Sequence, residues 1–262
     1  MPIFSSKDQF NANARKYAVS DVHRAGPSLP VLLDFAAPSR EDYALDVATG
    51  TGHTALAVAR RVKGAVGLDI ASKMLEQARR LAIEQGISNC EFIEGSAEAL
   101  PFPSRQFSLV TSRLAPHHFR RADVFLAEVQ RVLARDGRFV MADQITPSIE
   151  ILHWVNAWER TRDPSHFDQR TVDQWKSETA KAGFRWIEHR IVFYHLEFAW
   201  WVKQAGCDED TIKRLVEHAA KGSLFARESY GLEFDESGRV ISFQLPVVVV
   251  RLERIEQFVG MT

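Results

Sequence analysis

Only two cysteines, Cys90 and Cys207, occur in the chain, and they lie far apart. That excludes a disulfide framework or a cysteine-built zinc site and points to two reduced thiols. No apolar run is long enough to span a bilayer; the longest, residues 240–250, is interrupted by Ser242, Gln244 and Pro246. Charge of one sign is missing as well. The formal net charge is −1, so no field steers the chain to nucleic acid or an anionic membrane. Arg60–Arg61, Arg79–Arg80 and Arg120–Arg121 are single pairs on different helices and read as solvated faces. The stretch Met-Pro-Ile-Phe-Ser-Ser-Lys-Asp lacks the apolar core of a secretory signal, and repeats and low-complexity tracts are absent. The expectation is a cytoplasmic protein with no nucleic-acid or membrane partner. What remains is an ordinary globular composition, 45% apolar and 26% charged over 262 residues, enough for one large or two small domains.

Organisation centres on residues 44–69. Residues 44–48 read as a short buried strand carrying Asp46. Gly50 and Gly52 form a tight turn, and the Ala-, Leu- and Val-rich stretch 54–62 reads as a helix whose free N–H groups face that turn. A second strand, 65–68, ends on Asp69. This strand–glycine turn–helix–strand–acid unit is the half-site of a nucleotide-binding doubly wound sheet.

Two ligands compete for it. Gly50-x-Gly52-x-x-Ala55 with an acid about 20 residues on satisfies the dinucleotide fingerprint, which makes a nicotinamide-dependent oxidoreductase one reading. Asp46, however, would repel the pyrophosphate that such a cofactor places on the turn. An ammonium group there would be welcome, and S-adenosylmethionine carries one on its methionine tail, with a ribose diol for Asp69. On these residues the chain resembles the class I S-adenosylmethionine-dependent methyltransferases, particularly the menaquinone/ubiquinone-biosynthesis-like group. The resemblance is close over residues 40–145. It implies a first motif at Asp46, Ala48, Thr49, Gly50 and Gly52, with Ala48 where the family often has glycine, and a second at Asp69 with Ile70. It further implies Met74 against adenine, Ser96 and Ala97 in the adenine-edge loop, and backbone contacts from Arg113 and Leu114 to the methionine tail. Many relatives carry an acid where Ser96 stands, so Glu98 is an alternative adenine partner. Tyr17 is a cofactor contact if the N-terminal helices form a lid, and a rung of a packing stripe if they do not.

Strands alternate with helices through residue 143, which demands a mostly parallel sheet with ligands at the carboxyl ends of its strands. The expected fold is α/β: a doubly wound, mostly parallel seven-stranded Rossmann-like methyltransferase sheet. An antiparallel C-terminal pair, 185–193 with 239–250, would complete it. The expected division is an N-terminal lid (1–36), a core (37–196 and 231–262) and an inserted helical cap over the active-site face (197–230). Other expectations are Ser72 as N-cap of the helix 73–85, and the helix containing Phe125, Val129, Val132 and Leu133 closing at Asp136–Gly137.

Methyl transfer needs alignment, exclusion of water and, for some acceptors, a base. His117 and His118, just past the fourth strand, are the candidates, because a histidine titrates near neutral pH. The competing reading has both rings only holding the loop beside Phe119. A metal would require His153 or Asp143 to converge with them, and the spacing does not demand one. All six tryptophans follow residue 150. In the cap, Trp200 or Trp201 could line a pocket or a homodimer contact, and an aromatic cap suits a flat or apolar small-molecule acceptor. A nucleic-acid methyltransferase would need a basic track, which is missing. A non-catalytic S-adenosylmethionine-binding protein is the remaining alternative.

Overall fold

A computed structural model describes residues 6–255; the first five residues of the expected lid and the last seven of the expected core lie outside that range. Three helices come first: α1 (Ser6–Ala18), α2 (Asp21–Ala25) and α3 (Ser28–Ala36). The alternating region then runs β1 (Tyr43–Val47), α4 (His53–Ala59), β2 (Gly64–Asp69), α5 (Ser72–Glu84), β3 (Cys90–Glu94), β4 (Phe107–Arg113), α6 (Ala122–Val132) and β5 (Leu133–Gln144). It is followed by α7 (Leu152–Arg162), α8 (Val172–Lys181), β6 (Phe184–Glu197), α9 (Phe198–Ala205), α10 (Glu209–Ala220), α11 (Leu224–Ser229), β7 (Glu233–Phe234) and β8 (Val240–Arg254).

The sheet order is β3-β2-β1-β4-β5-β8-β6, with β7 paired to β8. Strands β1 to β5 are parallel, and β8 inserts antiparallel between β5 and β6. Residues alternate between the two faces of each strand. Leu45, Val47, Val66, Leu68, Val110, Phe139 and Met141 join Phe125, Leu126 and Val129 of α6 and Trp175 of α8 in one core. Ala44, Leu109, Val140 and Ala142 join Leu32 and Phe35 of α3, Val58 of α4 and Trp158 of α7 in another. Helices thus cover both faces, and the strand order reverses between β1 and β4. A crevice opens there, beyond the carboxyl ends of the strands.

Three local expectations change. Strand β5 begins at Leu133 rather than after Gly137, because Leu133 pairs with Phe107 and is fully buried. Ser72 is the first residue of α5, not its cap. The cap position is Ala71, whose N–H donates to Asp69 Oδ1 at 2.9 Å. The segment 197–230 holds a third helix, α11, and leads into β7, so the sheet has eight strands. That segment packs on α7 and β8 through Trp201, whose ring centroid lies 4.6 Å from Trp158 and 5.0 Å from Phe243. Trp201 is core, and the half-buried Trp200 packs against the same core. No helix among the described residues is long and apolar enough to cross a membrane.

Candidate active site

A cavity of about 510 Å³ fills the crevice. Its floor comes from the turn after β1 and its sides from the ends of β2 and β4. The loop 95–98 and the turn 164–167 add further walls, and α1 and α2 close the top through Ser6, Lys7, Phe10, Tyr17 and His23. No residue of 197–230 lines it.

At one end sit two opposite charges. Asp46 is buried, with Oδ2 accepting from Thr49 Oγ1 and Oδ1 from Thr111 Oγ1, both at 2.6 Å. Burial pushes its pKa up to about 6, against the pull of those hydroxyls and of Arg113. The Arg113 guanidinium is held by Thr54 Oγ1 at 2.9 Å and by the His23 carbonyl, but its Nη1 is buried without a partner. A carboxylate and an under-used guanidinium on one wall suit a zwitterion. His23 beside them stays neutral, pushed down to about 3 by burial and by the Arg113 charge.

Turn geometry explains the glycines unequally. Gly50 has φ +55°, lines the cavity, and a Cβ there would meet nothing within 4 Å. Gly52 has φ +84° and does not line the cavity; a Cβ would lie 2.9 Å from Ala78 Cβ and 3.1 Å from the Phe92 ring. It serves the close approach of α4 to α5. Ala48 is on the wall with φ 55°, a conformation that costs a side chain about 1–2 kcal/mol. Asp69 fixes the turn from β2: Oδ2 accepts from Gly50 N at 2.8 Å and Oδ1 from Ala71 N. Each oxygen keeps a lone pair for a further donor.

Ile70, Met74, Ser96, Ala97 and Glu98 line the next part of the cavity, as do Thr49 and Leu114. Ser96 Oγ accepts from Glu98 N at 3.2 Å, and Glu98 Oε1 accepts from Arg121 N at 3.0 Å. Met74 packs against α1 with Ala14, Phe10 and Tyr17. Tyr17 is on the wall, its ring 4.5 Å from His23 and 5.8 Å from Phe10; burial pushes its phenol up to about 12. The Leu114 N–H donates to Ala142 O at 2.7 Å, so the backbone group it can offer a ligand is its carbonyl.

The two histidines separate. His117 is not on the wall. Its Nδ1 lies 2.6 Å from Asp143 Oδ1, and burial disfavours charge on both partners, raising Asp143 to about 8 and holding His117 well below its usual range. His153 is exposed on α7, and among the described residues no three His, Cys, Asp or Glu side chains converge as a metal site. His118 is on the wall. Its Nδ1 lies 3.1 Å from the Ser165 carbonyl, which can only accept, so Nδ1 carries the ring proton and Nε2 the lone pair. Nearby, His166 is fully committed: Nε2 donates to Asn156 Oδ1 at 2.7 Å, and Nδ1 faces Gln144 Nε2 at 3.4 Å. The turn bearing Ser165, His166 and Phe167 was not among the expected site segments. Its only sequence signal was the helix stop Asp163-Pro164.

Fold, crevice and charge pair together define a methyltransferase, and the chain belongs to the class I S-adenosylmethionine-dependent methyltransferases of the menaquinone/ubiquinone-biosynthesis-like group. The methyltransferase-domain family matches residues 44–137. The uncharacterized methyltransferase YcgJ of Bacillus subtilis is 32% identical over 248 residues, 94% of this chain and 98% of that one. Its crystal structure superposes with a TM-score of 0.83 over 88% of this chain and 99% of that chain. A demethylmenaquinone methyltransferase of Thermus thermophilus is 41% identical over 113 residues, 42% of this chain and 51% of that protein. The cofactor is therefore S-adenosylmethionine and the protein an enzyme, which sets aside the nicotinamide and the non-catalytic readings.

Proposed function

We propose that the enzyme methylates a small, largely apolar or aromatic acceptor, with His118 as the base. When bound, S-adenosylmethionine supplies a methyl group on a positively charged sulfur, already activated for in-line displacement. The residues present fit it. Arg113 Nη1 is a buried donor lacking a partner, and the Gly50 turn leaves open space on the cavity wall. The reading places the methionine ammonium toward Asp46 and the carboxylate toward Arg113. Asp69 takes the ribose hydroxyls, and Ile70, Met74, Ser96 and Ala97 surround the adenine.

The observation that carries the acceptor reading is His118 Nε2. It is the lone-pair nitrogen of a side chain on the cavity wall, its ring 4.9 Å from that of Phe10, with Leu114, Ala115 and Phe167 lining the same cavity. Such a wall accepts a flat or apolar molecule and offers it one proton acceptor. The lid residues Phe10 and Tyr17 exclude water from it. The Thermus relative, a demethylmenaquinone methyltransferase, supports an apolar acceptor of this kind.

The test is to incubate the enzyme with methyl-labelled S-adenosylmethionine and an organic-solvent extract of cells. Label should enter a small organic-soluble product. His118→Gln should lower that transfer by about 100-fold while still binding S-adenosylhomocysteine. Label found only in RNA or protein would overturn the reading.

A further inference from the structure

We propose that Asp163 is a positioning residue that sets the tautomer of His118 through Ser165 and so keeps Nε2 free to accept a proton. The inference rests on the reading of His118 as the base.

Proton bookkeeping carries the argument. Asp163 Oδ1 accepts from Ser165 Oγ at 2.7 Å and from Ser165 N at 2.9 Å. A serine hydroxyl has one proton. With that proton given to Asp163, Ser165 Oγ faces His118 Nδ1 at 3.2 Å only as an acceptor. The Ser165 carbonyl, 3.1 Å from the same nitrogen, accepts as well. Two acceptors at Nδ1 hold the ring proton there and leave the lone pair on Nε2. Without Asp163, the Ser165 hydroxyl would be free to turn and donate to Nδ1 in competition with the carbonyl, which raises the share of the tautomer protonated on Nε2 and useless as a base.

The turn around Asp163 is built to hold this register. His166 N donates to Asp163 O at 3.0 Å, while Phe167 N and Asp168 N both donate to His117 O at 3.0 Å. Residues 163–168 are thereby stitched to the backbone immediately before His118. Asp163 is 3% exposed. Burial alone would raise its pKa, but the charges of His118 and Arg162 and the two bonds from Ser165 outweigh burial and hold it below the ordinary carboxylate value. It is therefore a carboxylate near neutral pH. When the acceptor's proton moves to Nε2, the acceptor keeps the electron pair, and the imidazolium retains its Nδ1–H bond to Ser165.

The test reads the tautomer directly and needs no acceptor. Uniformly ¹⁵N-labelled full-length protein, with S-adenosylhomocysteine added, is studied by long-range ¹H–¹⁵N spectra of the imidazoles, and His118 is assigned from the signals lost in His118→Gln. The wild type should show Nδ1 protonated and Nε2 bare. Asp163→Asn, whose amide oxygen still accepts from Ser165, should keep that pattern. Asp163→Leu should raise the share of Nε2–H, as should Asp163→Ala if the leucine variant does not fold, whereas Ser165→Ala, with no hydroxyl to donate, should keep Nδ1–H. An Nε2–H tautomer in the wild type would overturn the proposal. So would an unchanged pattern in whichever Asp163 variant folds, or a shift to Nε2–H in Ser165→Ala. Full methyl transfer by His118→Gln would instead defeat the base reading, leaving the tautomer result to stand by itself.

Discussion

The Gly50 amide donates to the Asp69 carboxylate at 2.8 Å. The glycine turn after β1 and the acid ending β2 are therefore one unit, although 19 residues separate them. The other Asp69 oxygen takes the Ala71 amide at the start of α5. A carboxylate is needed because both oxygens must accept.

Asp69→Asn should thus do more than neutralise a charge. One oxygen becomes an NH₂ group facing a backbone N–H, leaving a buried donor unsatisfied at about 1–3 kcal/mol. Thermal unfolding should show that loss, and titration calorimetry should show weakened S-adenosylhomocysteine binding beyond it.

Asp46 gives binding a pH dependence. Its pKa, raised by burial to about 6, leaves it anionic at pH 7 and neutral at pH 5. Affinity for S-adenosylhomocysteine should fall as pH drops through about 6, and Asp46→Asn should be flat across that window. The stability sign is opposite. A carboxyl whose folded pKa exceeds its unfolded value contributes stability below the unfolded pKa, and that stability is lost as pH rises through the folded pKa. Wild-type protein without ligand should therefore lose stability relative to Asp46→Asn as pH rises from 3.8 to about 6.

Arg113 should discriminate between ligands. Arg113→Met removes the unpartnered Nη1 but not the ribose or adenine contacts. Binding of S-adenosylhomocysteine should weaken by about 30-fold, in line with loss of a charge-assisted hydrogen bond. Binding of 5′-methylthioadenosine, which lacks the amino-acid tail, should change little. Equal losses for both would mean that Arg113 acts only by holding the lid through the His23 carbonyl.

The two motif glycines should fail differently. Gly52→Ala drives a methyl into Ala78 and Phe92 and should cost about 1–3 kcal/mol of stability. Gly50→Ala meets no protein atom, so its stability loss should be only the left-handed strain of about 1–2 kcal/mol. Its larger effect should be on cofactor affinity.

What the sequence displayed and what it hid follow from how local each feature is. The strand–turn–helix unit from 44 to 69 is contiguous, so the periodicity and turn residues marked Asp46, Gly50 and Asp69 directly. Met74 followed from its place one turn beyond Asp69, and Ser96 from the resemblance to the family's adenine-edge loop. Which of two adjacent histidines faces the cavity could not be read from their adjacency; it depends on Asp143 capturing His117 from the end of β5. The Asp163–Ser165 turn was hidden for a related reason. It reaches the cavity only because α7 returns the chain across the crevice. Helix α11 is six residues long and β7 two, too short to show a period. Gly52 matched the motif yet serves helix packing, a distinction that only Ala78 and Phe92, distant in sequence, reveal.

The most direct measurement is a crystal structure with S-adenosylhomocysteine bound. The expected result has the amino-acid ammonium toward Asp46, the carboxylate on Arg113 Nη1 at about 3 Å, and the ribose hydroxyls on Asp69. An amino-acid tail turned away from both side chains, with Arg113 Nη1 still unpartnered, would contradict the account.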